Sequence, residues 1–541
     1  MTTECYPISN LPRLSRLFLD FAERREPLSP FYPATAYSTD WVTAPVALGD
    51  DQRAELCRLL EVQNREAQGG ELSASSPLLQ NIHKLRSGAG AVVTGQQVTL
   101  FGGPLFTLLK AATAIRKAKD ASSSGYPHVP VFWLATEDHD LAEAAEVTLL
   151  AGEELRTLRL TVDPPAGSPV GPVLLGQGIE ELVQQAVEIV GSGPLAEELA
   201  RCYRPDATFS QAFAGFLSRI FAGQGLIVVD ASTREFHALG SGVLREAIVR
   251  ADELQVALAD RDQQLKARGY HSQVLVSPNS SLLFLIDSDS GARMPLRRVS
   301  SAWQAGRQSY SSAELLDILD EHPERVSPNA LLRPVFQDCI LPTGAYVGGP
   351  AEVAYFAQSE VLYERILGRT TPILPRLSAT LIEPAMAELL AKYGTTLPEI
   401  IHAASHDPLE LAQRLGARAM PVEAKRKLAS AGNSLDEELH ALTEYLNSLN
   451  ADLGRAANVA ASKMRYQMNR LRRLAANYQL KREEILARHA GEMMLHLFPD
   501  RHPQERVLGA AGFLARYGES LPELLVEQAG QQCPGHKAIW L

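Results

Sequence analysis

The 541-residue chain has little cysteine, and what it has is scattered. Cys5, Cys57, Cys202, Cys339 and Cys533 are odd in number and include no C-x-x-C pair. That pattern argues against a disulfide framework and against a cysteine-based zinc site, so no metal is expected. An excess of positive charge is missing too. The balance of 52 Lys and Arg against 63 Asp and Glu gives a net charge of −11, a poor basis for general nucleic-acid binding, although a local basic face could exist. The opening MTTECYPISN has no basic segment followed by an apolar run, and no apolar stretch reaches membrane length. A cytoplasmic protein without membrane contact is the expectation. What is present is ordinary globular composition, 45% hydrophobic and 21% charged, at a length that suggests several domains.

Short apolar runs mark strands: AVVT at 91–94, VPVFWLA at 129–135, GLIVVD at 225–230 and TPILPRLSATLI at 371–382. Helical stretches separate them, the alternation of an α/β fold with a parallel sheet. Residues 1–88 read as a mostly helical, polar segment joined to the core, with a proline-rich patch at 27–33 wrapping the surface. The core then falls into three parts, 89–146, 216–240 and 331–385, divided by insertions at 147–215 and 241–330. The first insertion reads as β-rich before a helix. The second reads as a helix and then hairpins around Pro278-Asn279 and Asp289-Ser290-Gly291.

From 386 to 500 the chain becomes helical, and 501–541 forms a C-terminal segment. Leu435, Leu439, Leu442, Leu446, Leu449 and Leu453 keep a 4-3-4-3-4 spacing that continues through Ala457, Ala460, Met464, Gln467, Leu471, Leu474 and Tyr478. This is a heptad seam. Residues 434–454 hold five acidic and no basic side chains, whereas 455–489 hold nine basic and two acidic. With Gly454 at the divide, the pattern predicts two antiparallel helices with opposite charges facing. The basic helix reads first as a solvated or paired face; binding of RNA or a phosphorylated ligand is the alternative.

Chemistry concentrates in three clusters and one further pair. Thr94, Gly95, Gln96 and Gln97 follow a strand, and Gly102, Gly103 and Pro104 open a helix; glycines admit close backbone approach, and a helix N-terminus presents N–H groups to an anion. A tight structural turn explains the same residues. The second strand runs into Glu137, Asp138, His139 and Asp140, which suit proton transfer, an amine or a metal, with helix capping by one Asp as the bland reading. If the strand persists, Asp138 and Asp140 share a face. In LRPVFQDCILPTGAYVGGPAEVAYFAQ, Asp338 ends a strand-like run, Tyr346, Gly348 and Gly349 build a second Gly-Gly-Pro turn, and Glu352 falls in the first helical turn, where a carboxylate also serves the macrodipole. Cys339 there reads as an inert buried thiol. Arg376 and Ser378 follow the last core strand and suit a carboxylate or phosphate.

Assembled, VVTGQQVTLFGGPLFTLLKA, VFWLATEDHD, the 332–358 segment, PILPRLSATLIEP and LFPDRHPQER resemble the family of bacillithiol-biosynthesis cysteine-adding enzymes (BshC). The resemblance implies a Rossmann-like core similar to class I aminoacyl-tRNA synthetases, two connecting-peptide insertions and a C-terminal antiparallel coiled coil that makes a homodimer. It further implies a ligase joining cysteine to the amine of glucosaminyl-malate through an amide bond. Thr94 to Gln97 with Gly102 to Pro104 would fall where synthetases carry their first nucleotide signature, so ATP or another adenine nucleotide is the implied cofactor. No His-x-Gly-His tetrad and no Lys-Met-Ser-Lys-Ser loop is present, and residues 376–380 are at most a distant counterpart of the latter. The rival expectation is a non-catalytic nucleotide- or RNA-binding protein with a synthetase-like core.

Overall fold

The computed structural model describes every residue except 1, 24–27, 29, 44, 45, 47, 71, 278, 300, 301, 407 and 483. It divides into two compact units. The larger joins Cys5–Ala379 to Glu505–Lys537; the smaller is Thr380–Gln504 with short pieces of both chain ends.

The larger unit is built on five parallel strands: β1 (Gly90–Gln96), β2 (His128–Leu134), β3 (Ile227–Asp230), β4 (Thr343–Gly348) and β5 (Ile373–Pro375). Their order across the sheet is β5-β4-β1-β2-β3. Helix α1 (Phe106–Ser123) connects β1 to β2, α2 (Arg234–Val249) follows β3, α3 (Arg333–Ile340) precedes β4, and α4 (Pro350–Leu362) follows it. β2 is buried along its whole length, as a strand covered on both faces must be, and hence reads as one apolar run. The order reverses between β1 and β4, and open α/β sheets bind ligands beyond the carboxyl ends of their strands.

The first insertion supplies an antiparallel hairpin, Glu146–Ala151 with Glu154–Arg159, and a helix, Gly178–Val190. The second supplies an antiparallel sheet that includes Ser280–Ile286, Arg293–Val299 and Val326–Pro328. The expected turn at Asp289-Ser290-Gly291 is there, with the Asp287 carboxylate accepting from Ser290 and Gly291 at φ 71°. Residues 271–277 belong to no strand, and Pro278 lies outside the described residues. The patch at 27–33 does not simply wrap the surface: Phe31 and Tyr32 are buried, and the Tyr32 hydroxyl donates to the Val353 carbonyl at 2.8 Å. Pro27 lies outside the described residues.

Two further readings change. The run LRPVFQDCIL is helix α3, so Asp338 ends no strand, and the strand beside β1 is instead the glycine-bearing TGAYVG. A Cβ at Gly344 would lie 2.7 Å from His128 Nε2, and one at Gly348 2.9 Å from Ile373 Cδ1. Close packing therefore requires the glycines that hide the strand in the sequence. Of 371–382, Ile373–Pro375 joins the core sheet. Cys5 and Cys533, both in the larger unit, form a disulfide across 528 residues, a pairing their scatter gave no reason to expect.

In the smaller unit, α5 (Val422–Leu449) and α6 (Ala451–Arg482) fold into the expected hairpin. The break falls at Asn450 rather than Gly454. Asn450 leaves the helical region, and its side-chain oxygen caps α6 by accepting from the Asp452 and Leu453 N–H groups at 2.8 and 3.2 Å. Gly454 serves close packing instead, because Asn447 leaves no room for a Cβ there. Asp436 and Arg465 pair across the helices at 2.8 Å. Leu439 is buried in the seam, whereas Leu442, Tyr445, Leu449, Met464, Leu471 and Leu474 remain exposed.

Candidate active site

The strand does not persist through the acidic cluster. β2 ends at Leu134 and the chain turns, with the Asp138 N–H donating to the Ala135 carbonyl and the Asp138 carbonyl accepting from Val170. The turn gives the four ionisable residues different tasks. Asp140 caps the short helix Leu141–Ala144 through Glu143 N–H at 3.1 Å, so the capping role falls to this residue. Asp138 accepts from Gln97 Nε2 at 2.7 Å and from the Asp140 N–H at 3.2 Å, with its side chain 38% exposed. His139 is exposed beside it.

Glu137, Asp138 and His139 line a cavity of about 480 Å³. The ends of β2 and β3 form one wall; the antiparallel sheet of the second insertion and the start of α3 form the other. That opposite wall contributes Arg293, Arg297 and Arg333. Arg293 donates to Ser327 Oγ at 2.9 Å and to the Pro328 carbonyl at 2.7 Å, and Arg333 donates to the Tyr355 hydroxyl at 2.6 Å. Carboxylates and arginines thus line one cavity of small-molecule size, and Arg293 lies near enough to Glu137 and Asp138 to interact with them.

Beneath Glu137 lies His237, fully buried on the first turn of α2, with Nε2 3.3 Å from Glu137 Oε1. Burial opposes charge on both groups, but their mutual attraction outweighs it. The imidazole is pushed above its ordinary pKa, and the Glu137 carboxyl is held below the usual carboxylate range, with help from Arg293 and Ser327.

The first glycine loop turns inward. Thr94 Oγ1 donates to the Val347 carbonyl at 2.8 Å, tying β1 to β4. The Gly95 carbonyl and the Gln96 side chain accept from Lys110 Nζ at 2.7 and 2.9 Å. Lys110, buried on α1, also meets Glu352 at 2.5 Å, and Glu352 accepts from the Tyr346 hydroxyl at 2.6 Å and the Gly349 N–H at 2.7 Å. Burial pulls the ammonium below the ordinary lysine range. It also opposes the Glu352 charge, but Lys110 and the two hydrogen bonds prevail and hold that carboxyl low. Glu352 is therefore a buried ion-pair partner at its helix start. Gly102 and Gly103 take φ 82° and 68°. The backbone around Pro104 is occupied by the C-terminal segment, with Leu105 N–H donating to the Leu508 carbonyl and Ala510 N–H to the Gly103 carbonyl. These three residues build a turn and do not line the cavity.

Three other expected residues also lie off it. Asp338 is buried in α3 against the Tyr363 hydroxyl at 2.9 Å and Gln337 at 3.0 Å, and burial raises its carboxyl pKa. Arg376 meets Glu505 at 2.6 Å, and Ser378 bonds Glu505 and His536 Nδ1, the latter at 2.8 Å. The expected closeness of Asp138 to the first loop is realised through Gln97. Glu352 reaches the same loop through Lys110. Sequence reasoning passed over Lys110, His237, Arg293 and Arg333. A lone lysine inside FTLLKAATAI was the one available signal; the others find their partners through the fold.

A parallel Rossmann-like sheet with a charged cavity beyond its strand ends, accompanied by a helical hairpin, defines an α/β protein whose candidate ligand site lies where such sheets bind ligands. The family described as bacillithiol biosynthesis BshC, N-terminal Rossmann-like domain, matches residues 1–377, and its C-terminal coiled-coil domain matches 379–540. The chain belongs to the BshC family. A protein of Koribacter versatilis is 42% identical over 543 residues, and one of Solibacter usitatus 33% identical over 546 residues, each covering 100% of both chains. A third, from Salinibacter ruber, is 30% identical over 98% of this chain and 97% of its own. All three bear the name "Putative cysteine ligase BshC". A solved structure named as a "putative arginyl t-RNA synthetase" from Campylobacter jejuni covers 89% of this chain and 98% of its own at 11% identity; its TM-score of 0.23 carries no argument.

Proposed function

We propose that the chain is a cysteine ligase of bacillithiol biosynthesis that joins the cysteine carboxyl group to the amine of glucosaminyl-malate. The observation that carries this reading is that Glu137 and Asp138 line one cavity with Arg293, Arg297 and Arg333, in a chain matched to the BshC family along its length. Glucosaminyl-malate offers an amine and carboxylates. The carboxylate wall suits the first, and the guanidinium wall suits the second. Glu137 and Asp138 hold the amine, and Asp138, oriented by Gln97, receives the proton that nitrogen sheds as the amide forms. An adenine nucleotide is the candidate activator of the cysteine carboxyl. Lys110 and Arg376, near the glycine loop and the last strand, are each engaged by a buried carboxylate. Phosphate charge would therefore be met by the cavity arginines. Function as a cytoplasmic homodimer through the exposed apolar stripe of α5 and α6 completes the proposal. The rival, a non-catalytic nucleotide- or RNA-binding protein, has less support, since the relatives bear the name of a ligase. Thiol analysis of a deletion strain tests the assignment: bacillithiol should vanish and glucosaminyl-malate accumulate. Normal bacillithiol without accumulation would remove it.

A further inference from the structure

Glu137 differs from its neighbours in how deeply it is set. Its Oε1 is sealed from solvent against His237, yet the side chain remains 19% exposed and lines the cavity. Asp138 and His139 are two to three times more exposed, at 38% and 58%, and are held by the loop itself and by Gln97. The His237 ring packs against Phe336 of α3 at 5.2 Å between centroids, and neither ring nitrogen completes a hydrogen bond. The charged groups facing this pair come from two other elements. Arg293 reaches Glu137 and Asp138 from the antiparallel sheet, with Ser327 beside it, and Asp138 adjoins Glu137 in the turn. His237 lines no part of the cavity. Nature has placed a fully buried imidazole where it can touch the carboxylate and nothing of a ligand.

We propose that Glu137 is the carboxylate that grips the ammonium of the amine substrate, and that His237 is a positioning residue that keeps this carboxylate aimed into the cavity; the proposal rests on the ligase reading above. An ammonium is held best by a carboxylate that is both ionised and fixed, because neither charging nor ordering then has to accompany binding. His237 from behind and Arg293 from the antiparallel sheet meet both conditions. Asp138, more accessible and oriented only by Gln97 and its own turn, is left for the proton. The two carboxylates thereby divide binding from proton transfer, as neighbouring acids do when their surroundings differ.

The test is calorimetric binding of glucosaminyl-malate to the full-length protein across about pH 5 to 9, which spans the ordinary histidine range and the region above it into which Glu137 raises His237. His237→Gln keeps a hydrogen-bond donor and deletes the charge. It should weaken binding roughly tenfold at the acid end and little at the alkaline end, a differential of about 1.4 kcal/mol by the affinity relation. Glu137→Gln should weaken binding throughout, and adding His237→Gln to it should change nothing more. A folded His237→Gln protein with parental affinity and parental pH dependence would overturn the proposal. Should that variant fail to fold, nuclear magnetic resonance of histidine-labelled parent and Glu137→Gln protein decides instead. The His237 signal should titrate above the ordinary histidine range in the parent and fall below it without Glu137; an unchanged titration would overturn the pairing. Failure of the parent to bind glucosaminyl-malate at all would instead remove the ligase reading, while the resonance measurement would still report on the pairing.

Discussion

Lys110 is the sole charge in an apolar helical run, and three acceptors converge on its ammonium. Removing one partner of a buried pair costs more than the pair contributes, since the survivor stays desolvated. Lys110→Met should therefore cost about 3–5 kcal/mol in denaturant unfolding, and adding Glu352→Gln should recover part of it. At the cavity, Asp138→Asn keeps shape and hydrogen bonding while deleting charge. It should melt like the parent yet fail to restore bacillithiol to a deletion strain; full restoration would return Asp138 to a purely structural role. His536 provides a pH signature. Burial pushes its pKa down to about 4, opposed by Glu505 and reinforced by Arg376. The unfolded chain takes up this proton near the ordinary histidine value, whereas the folded chain resists until about pH 4. Stability from this group is thus lost as pH falls through that interval, by on the order of 3 kcal/mol. Thermal midpoints measured across it should fall less steeply in His536→Gln than in the parent.

Among elements, the hairpin α5–α6 leaves Leu442 and Tyr445 exposed at 54% and 62% on its outer face. Replacing both with Asp should leave helicity intact and convert a dimer to a monomer in light scattering; an unchanged dimer would move the interface elsewhere. The same hairpin shows what periodicity can and cannot reveal. Heptad spacing and charge segregation located both helices, but the turn depends on which residue caps the second one, and Asn450 outcompeted Gly454 by offering a side-chain acceptor. In the sheet, β1, β2 and β3 were legible because strands covered on both faces are continuously apolar. β4 was not, because its glycines answer to His128 and Ile373, which the fold alone brings near. Asp138 stood out in the sequence by its neighbours. His237 did not, because its meaning lies in a carboxylate 100 residues earlier.

At the scale of the molecule, the larger unit is cross-linked near its own first and last residues. Cys5 and Cys533 are bonded to one another, and Cys57, Cys202 and Cys339 are free. Thiol titration of the oxidised, unfolded protein should count three reactive groups, rising to five after reduction. Reduction should lower stability by about 2–4 kcal/mol, the usual contribution of such a cross-link. The return of Glu505–Lys537 to the larger unit has a bearing on biogenesis. Arg376 sits almost fully buried on Glu505, and the start of α1 is covered by residues near 508. On the ribosome, the 128 residues between Arg376 and Glu505 must be made before that carboxylate is, at roughly 5–20 residues per second. For that interval the guanidinium has the Leu377 carbonyl but lacks its buried carboxylate partner. Completion of this corner of the Rossmann-like unit therefore waits on residues made after the helical segment rather than on its own strands.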